Sequence, residues 1–180
     1  MNRRFWIKAH LFAAAFFAPT LTIIAISGGL YLLGVKGSVN ETAMPLPVGA
    51  ALDLNSQTLE QDVRALLNNA GVKHNFEYLR ADGNTLTTRP TSNTYYVFKV
   101  SADGVSLWLN VPSLQRRMIE LHKGHGPQLF KEFQKVMAAA LLFVLLSGAW
   151  LGLASTGLRR STIASVGGGL LVFLGLVFLA

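Results

Sequence analysis

Residues 11–33, LFAAAFFAPTLTIIAISGGLYLL, form an uncharged stretch that is long enough for a helix to cross a lipid bilayer. Two more apolar stretches, at 136–154 and 162–180, reach similar lengths. A membrane-spanning helix needs about 20 apolar residues because the hydrocarbon core is about 30 Å thick. The sequence therefore predicts three transmembrane helices, with a water-facing module between the first two.

The composition supports a membrane protein. Of the 180 residues, 51% are hydrophobic and only 14% are charged, whereas a soluble domain has about 25% charged residues. These values exclude a disordered chain and argue against an ordinary soluble globule. The sequence has no cysteine, which excludes disulfides and thiolate ligands to zinc, haem iron or iron–sulfur clusters.

The basic residues predict which way the chain crosses the membrane. The formal net charge of +7 comes largely from two flanks of the apolar stretches, one with Arg3, Arg4 and Lys8 and one with Arg159 and Arg160. Such flanks stay on the cytoplasmic side, and both agree on one orientation. The predicted order is cytoplasmic N-terminus 1–10, helix 11–33, outer module with its linker 34–130, helix 136–154, cytoplasmic loop 155–161 and helix 162–180.

A cleaved signal peptide is the alternative for the N-terminus. The apolar run at 11–33 is longer than the roughly 7–15 residues of a signal-peptide core, and no clear small-residue cleavage site follows it. A membrane helix is therefore favoured. Because the basic residues flank apolar runs rather than clustering on a folded face, no nucleic-acid partner is predicted.

The water-facing part, 36–130, begins with a linker and a helix. Residues 37–47 contain two prolines and are predicted as the linker. Apolar residues then recur at helical spacing over 59–70. Thr58 with Gln61 is a candidate capping box, and Gly71 is a natural helix stop.

Strand-like segments follow this helix. Residues 95–100 and 105–109 are predicted as the arms of a hairpin around Asp103-Gly104, and Asp82-Gly83 marks another turn. Residues 113–121 are predicted as a short helix before the second span. The fold class is thus a membrane α-helical protein with a small α+β module, made of one helix and an antiparallel meander of three to four strands.

Small residues cluster inside the spans and predict close helix packing. They allow helix backbones to approach where lipid offers no hydrophobic drive for association. Packing among the three helices of this chain and docking to another membrane subunit or a second copy both remain open. The residues concerned are Ser27, Gly28, Gly29, Ser147, Gly148, Gly152, Gly167, Gly168 and Gly169.

Several short motifs together resemble the PepSY-associated transmembrane family. They are RFWIKAHL at 4–11, ISGG at 26–29, LHKGHG at 121–126 and LSGAW at 146–150, in the family's order. The resemblance implies a bacterial inner-membrane protein whose module lies in the periplasm. Some longer members are thought to be haem-containing reductases of ferric siderophores. This chain differs because its third span has no histidine and no fourth span follows.

The histidines are the candidate ligands. His10, His122 and His125 are candidate cofactor ligands, haem b being one cofactor that they are compatible with. His122 and His125 share a helix face at i, i+3 and, with His74, form a candidate metal site. His10 lies at the opposite end of a span, about 30 Å away, so it needs a ligand from another subunit to hold a haem.

The sequence contains no GxSxG, HExxH or phosphate-loop motif, which favours a non-enzymatic role. The leading interpretation is an inner-membrane accessory protein that presents a periplasmic PepSY-like module and docks to a larger membrane assembly. One alternative, implied by the resemblance, is a haem- or metal-binding electron-transfer subunit linked to periplasmic iron reduction. Another, by analogy with PepSY domains in propeptides, is a periplasmic protease regulator.

Overall fold

The computed structural model describes residues 3–47, 49–102 and 104–179. The chain divides into two compact units, one of Met1–Leu21 with Gln134–Ala180 and one of Thr22–Phe133. The elements are α1 (Arg3–Leu32), β1 (Val39–Met44), α2 (Leu59–Asn69), β2 (Tyr78–Asp82), β3 (Thr85–Arg89), β4 (Tyr95–Ser101), β5 (Gly104–Pro112), α3 (Leu114–His122), α4 (Gln128–Leu153) and α5 (Arg159–Leu179).

Three of these helices, α1, α4 and α5, are long and apolar enough to cross a membrane. They cover the three predicted stretches except for the last residue of each, and each begins several residues earlier than its apolar core. The sequence prediction of three long apolar helices is therefore confirmed. Ala180, the last residue of the third predicted span, lies outside the described residues.

The strands form one antiparallel sheet in the order β1-β5-β4-β3-β2. The predicted β4–β5 hairpin is confirmed, with pairs running from Tyr95↔Asn110 to Ser101↔Gly104. Asp103, half of the predicted turn dipeptide, lies outside the described residues. The mixed α+β prediction is also confirmed, although the sheet has five strands where three to four were predicted.

The extra strand is β1, so the prediction of a linker over 37–47 is wrong. Val39 to Met44 pair with Pro112 to Leu107 of β5. The four central residues of β1 are exposed, so the strand shows no alternation of apolar and polar residues. Its place depends on backbone hydrogen bonds to β5, which a hydrophobicity pattern does not reveal.

The core of the module lies between α2 and one face of the sheet. Val63 and Leu67 of α2 are fully buried together with Leu86, Phe98 and Leu107 from three strands. Because side chains alternate along a strand, these inward positions recur every second residue. Burial of each such side chain stabilises the fold by about 1.5–3 kcal/mol.

The two ends of α2 differ in how well the sequence predicted them. Gly71 has φ +75°, its N–H bonds to Asn68 O and the N–H of Val72 bonds to Leu67 O, which confirms the predicted stop. The capping box is wrong: the Thr58 side chain makes no capping bond and its hydroxyl donates to Asp62 Oδ2 at 3.0 Å.

The segments that lead into and out of the sheet meet at Ser113. Its Oγ accepts from Arg116 N at 3.3 Å, which caps α3, and from Ser38 N at 3.1 Å. Gly37 has φ +69°, and a Cβ on it would lie 2.7 Å from Arg116 N. Only glycine meets both conditions at this position. The predicted short helix is confirmed as α3, and this junction fixes where it starts.

Candidate functional site

His122, at the C-terminus of α3, contacts α1 within the Thr22–Phe133 unit. Its Nδ1 lies 2.9 Å from the carbonyl oxygen of Ile24. A carbonyl only accepts, so Nδ1 carries the hydrogen of this bond, and Nε2 takes no part in it. The same carbonyl also accepts the hydroxyl of Ser27 at 2.9 Å.

Gly28 makes this contact sterically feasible. A Cβ at position 28 would lie 2.8 Å from Cε1 of His122, closer than real Cβ contacts allow. Gly29, its neighbour, has nothing within 4 Å of an added Cβ among the described residues. The first of the two glycines is therefore the one that the imidazole requires.

His10 is held in a similar way within the other unit. Its Nδ1 lies 2.9 Å from Oγ of Ser147 on α4. The Ser147 hydroxyl donates to Val144 O at 3.2 Å, so its oxygen accepts from His10 Nδ1. The imidazole of His10 also lies against Gly148, where a Cβ would be 3.2 Å from Cε1.

A Ser-Gly step on a long helix therefore receives an imidazole in each unit. From the sequence, Ser27-Gly28 and Ser147-Gly148 are predicted helix-packing positions, and the histidines are candidate ligands. The structure joins His122 with the first step and His10 with the second. Each histidine is held at its Ser-Gly step by a bond to an oxygen, the main-chain oxygen of Ile24 for His122 and the hydroxyl oxygen of Ser147 for His10. No sequence motif marks these acceptors.

The other small residues of the spans divide into two groups. At Gly152 an added Cβ would collide with Thr162 of α5, so this glycine permits a close contact between α4 and α5. Around Gly167, Gly168 and Gly169 nothing lies within 4 Å in the part of the chain that the structure describes. Three of the predicted packing glycines thus serve contacts inside this chain, and those of α5 face outward.

His125 belongs to a different cluster, around the buried carboxylate of Glu120. That residue is 4% exposed. Its Oε2 accepts from Thr91 Oγ1 at 2.7 Å and contacts His125 Nδ1 at 2.7 Å. Its Oε1 forms an ion pair with Arg116 at 3.1 Å. Arg89 completes the cluster by donating to Thr91 Oγ1 at 2.8 Å.

These contacts set the ionisation of Glu120. Burial alone raises the pKa of a carboxyl group, because the charged form loses hydration. Hydrogen bonds from Thr91 and His125, with the charge of Arg116, outweigh burial and lower the pKa of Glu120 below its ordinary value. The carboxylate is therefore charged throughout the neutral range and holds α3 to the loop that follows β3.

The candidate metal ligands lie in separate contacts. His122 faces Ile24, His125 faces Glu120, and the ring of His74 lies 4.9 Å from that of Tyr96 in a T-shaped contact. Burial first, and the charge of Arg64 second, lower the pKa of His74, so it is neutral at pH 7. Within residues 3–47, 49–102 and 104–179, no three His, Cys, Asp or Glu side chains group as metal ligands.

Comparison of the chain with protein-family models, with curated proteins and with solved structures finds no match. The resemblance to the PepSY-associated transmembrane family stays a prediction.

Glu120→Gln should lower the free energy of unfolding of the module by about 3 kcal/mol at pH 7, because it leaves buried charge uncompensated. The matched control is Glu60→Gln, which breaks the exposed Glu60–Arg64 pair at 2.8 Å and should cost less than about 1 kcal/mol. Hydrogen exchange of the sheet amides, in full-length protein in detergent under rising denaturant, measures both. Equal losses would contradict a structural role for the cluster.

The same cluster predicts the acid sensitivity of the module. Since the folded-state pKa of Glu120 is lowered, its stabilisation is complete above the ordinary value of about 4.3 and is lost as pH falls through the folded-state value. The Gln variant should lack this component. Its unfolding free energy should therefore decline less steeply in acid than that of the native chain.

Gly28→Ala should displace the His122 imidazole and destabilise the α1–α3 contact by about 1–3 kcal/mol, the usual cost of overpacking. Gly29→Ala is the matched control, since nothing lies near it, and alanine should slightly favour the helix. In a His122→Ala background the Gly28→Ala change should become harmless. Thermal unfolding of the four proteins completes a double-mutant cycle, and additive effects would refute the contact.

Proposed function

We propose that this chain is a membrane accessory protein of a bacterial inner membrane. It anchors the α+β module at the periplasmic surface and packs α5 against the transmembrane helices of a larger assembly. The proposal rests on the exposure of α5. None of its described residues is buried, although the helix is largely apolar beyond its first turn and carries three consecutive glycines.

The glycines of α5 indicate a helix as the partner. Lipid chains can cover any apolar helix, and a helix face without side chains does not strengthen their packing. Another helix gains close van der Waals contact there. In α4, Gly152 already serves a helix contact of this kind with Thr162. Gly167 to Gly169 leave about half of the circumference of α5 without side chains at that level, which is open to a helix from outside the chain.

The orientation of the proposal rests on charge. Arg3, Arg4, Arg159 and Arg160 are exposed, and they flank the N-terminal ends of α1 and α5. Under the positive-inside rule these ends are cytoplasmic, which puts the module on the other side of the membrane. The inner membrane and the periplasm follow from the family resemblance.

A photoreactive amino acid at position 168 of the native chain should cross-link to one membrane protein in living cells. The control position is Val166, which lies on the opposite side of α5 two residues away. Gly167→Leu should abolish the product at 168, because the added side chain separates the helices. A product of twice the chain mass would identify a second copy, and cross-linking only to lipid would contradict the proposal.

A second candidate function is electron transfer. It is favoured by the hydrogen bonds that Nδ1 of His122 and Nδ1 of His10 make. Nδ1 of His122 is engaged by a carbonyl oxygen, the kind of contact that fixes the ring of a metal-ligating histidine and leaves Nε2 available. Each unit supplies one such imidazole, so the residues present fit one axial ligand and not the pair that b-type haem requires. The second ligand would have to come from a partner.

The absorption spectrum tests the electron-transfer candidate. Protein purified from the native membrane should show a Soret band that is lost in His122→Ala and kept in His74→Ala, since His74 packs on Tyr96 in the module. A colourless native protein, or a band that survives both changes, would contradict haem ligation by His122.

A further inference from the structure

We propose that the cleft between the C-terminal end of α1 and α3 binds one anionic glycerophospholipid. The inference rests on the membrane placement proposed above, but not on α5 or its partner. The cleft is a cavity of about 280 Å³ within the Thr22–Phe133 unit. Its lining includes Ala25, Gly28, Gly29, Leu32, Ile119 and His122.

Two lysines lie over one aromatic ring, that of Tyr31, which lines this cleft. Nζ of Lys36 lies 5.4 Å and Nζ of Lys123 lies 5.6 Å from the ring centroid of Tyr31. Tyr31 and Lys123 also line the cavity. Two ammonium groups repel each other, and an anion between them offsets that repulsion.

The protein supplies no such anion in the part that the structure describes. Neither Lys36 nor Lys123 forms an ion pair there. The nearest acid on α3, Glu120, points away and is engaged by Thr91, His125 and Arg116. The two lysines therefore present positive charge without an ion-pair partner beside the Tyr31 ring, which suits a phosphate group.

The rest of the cleft is suited to an acyl chain. Apart from Ser27 and His122, the lining below the charged rim is apolar or without side chains, and Gly29 has nothing within 4 Å of an added Cβ among the described residues. Leu32, which ends α1, is 86% exposed. A site that is cationic at one end and apolar along its length matches a phospholipid better than a free phosphate ion.

The depth of the cleft agrees with a headgroup site. His122 contacts Ile24, two helical turns before the end of α1, so the C-terminus of α3 lies beside the last apolar turns of a candidate span. Tyr31 and the lysines stand at the end of that span. Tyrosine and lysine are the side chains that commonly anchor at the level of phospholipid headgroups.

Native mass spectrometry of the full-length protein in a neutral detergent tests the site. We expect one retained phosphatidylglycerol per chain, with an affinity at least about tenfold above that of phosphatidylcholine with the same acyl chains. The double variant Lys36→Gln/Lys123→Gln should bind phosphatidylglycerol about 30-fold more weakly. The control Lys73→Gln/Arg80→Gln removes the same charge from exposed positions of the module and should change affinity less than about twofold.

A second variant separates the groove from the charges. Gly29→Leu adds an apolar side chain to the lining at a position where an added Cβ has nothing within 4 Å among the described residues, and it should weaken binding of both lipids about equally. Circular dichroism of each variant verifies that the helices and the sheet are retained. If Gly29→Leu binds like the native chain, the acyl chain does not occupy this cleft.

Two other outcomes would overturn the inference. Equal affinity for the two lipids in the native chain would show that the lysines do not select an anionic headgroup. Displacement of the lipid by millimolar inorganic phosphate would show an ion site instead. Neither outcome affects the cross-linking of α5, and a missing cross-link at position 168 leaves lipid binding unchanged, so the two proposals fail separately.

Discussion

The pairing of β1 with β5 is the contact on which the geometry of the module depends. It joins the first strand after α1 to the last strand before α3, so Ser38 and Ser113 lie side by side with a backbone hydrogen bond of 2.9 Å. Closing so long a loop costs conformational entropy, which the ladder and the core offset. Without this pairing, α3 would start elsewhere and would not run along the end of α1.

The contacts that follow from this pairing are mostly polar. At the start of α3, Gln115 Nε2 donates to Val35 O at 2.7 Å, and Arg116 lies against Gly37. At the end of α3, His122 contacts Ile24. Each contact uses a backbone atom of the α1 segment and tolerates little displacement. The α3 helix is thus held to α1 along one side, while Glu120 holds it to the sheet region along the other.

The features that the sequence predicted are those with a strong local pattern. The three long helices are long apolar stretches, α2 shows helical periodicity, and the β4–β5 hairpin has turn residues. The missed features lack one. Strand β1 has four exposed residues in a row. The Thr91–Glu120 bond joins residues 29 positions apart, and the acceptor for His122 is a main-chain carbonyl that every residue possesses.

The same reasoning explains the mixed result for the histidines. The sequence shows where the histidines lie along the chain. The i, i+3 spacing of His122 and His125 does not predict which group contacts each ring. His122 is directed to α1 and His125 to Glu120, because α3 ends between them at His122 and Gly124 takes φ +76°. A single break in the helix separates two side chains that a continuous helix would place together.

The imidazole that lies on a Ser-Gly step occurs once in each unit, and this repetition bears on how the protein could change over evolutionary time. A glycine that faces a histidine is constrained only as long as the histidine remains. If either histidine is lost in a descendant, the opposing glycine becomes free to drift to alanine, whereas an earlier change to alanine meets the histidine ring, at 2.8 Å for position 28 and at 3.2 Å for position 148. Coupled substitutions at positions 28 and 122, and at 148 and 10, would therefore record common descent for longer than substitutions in the exposed strands.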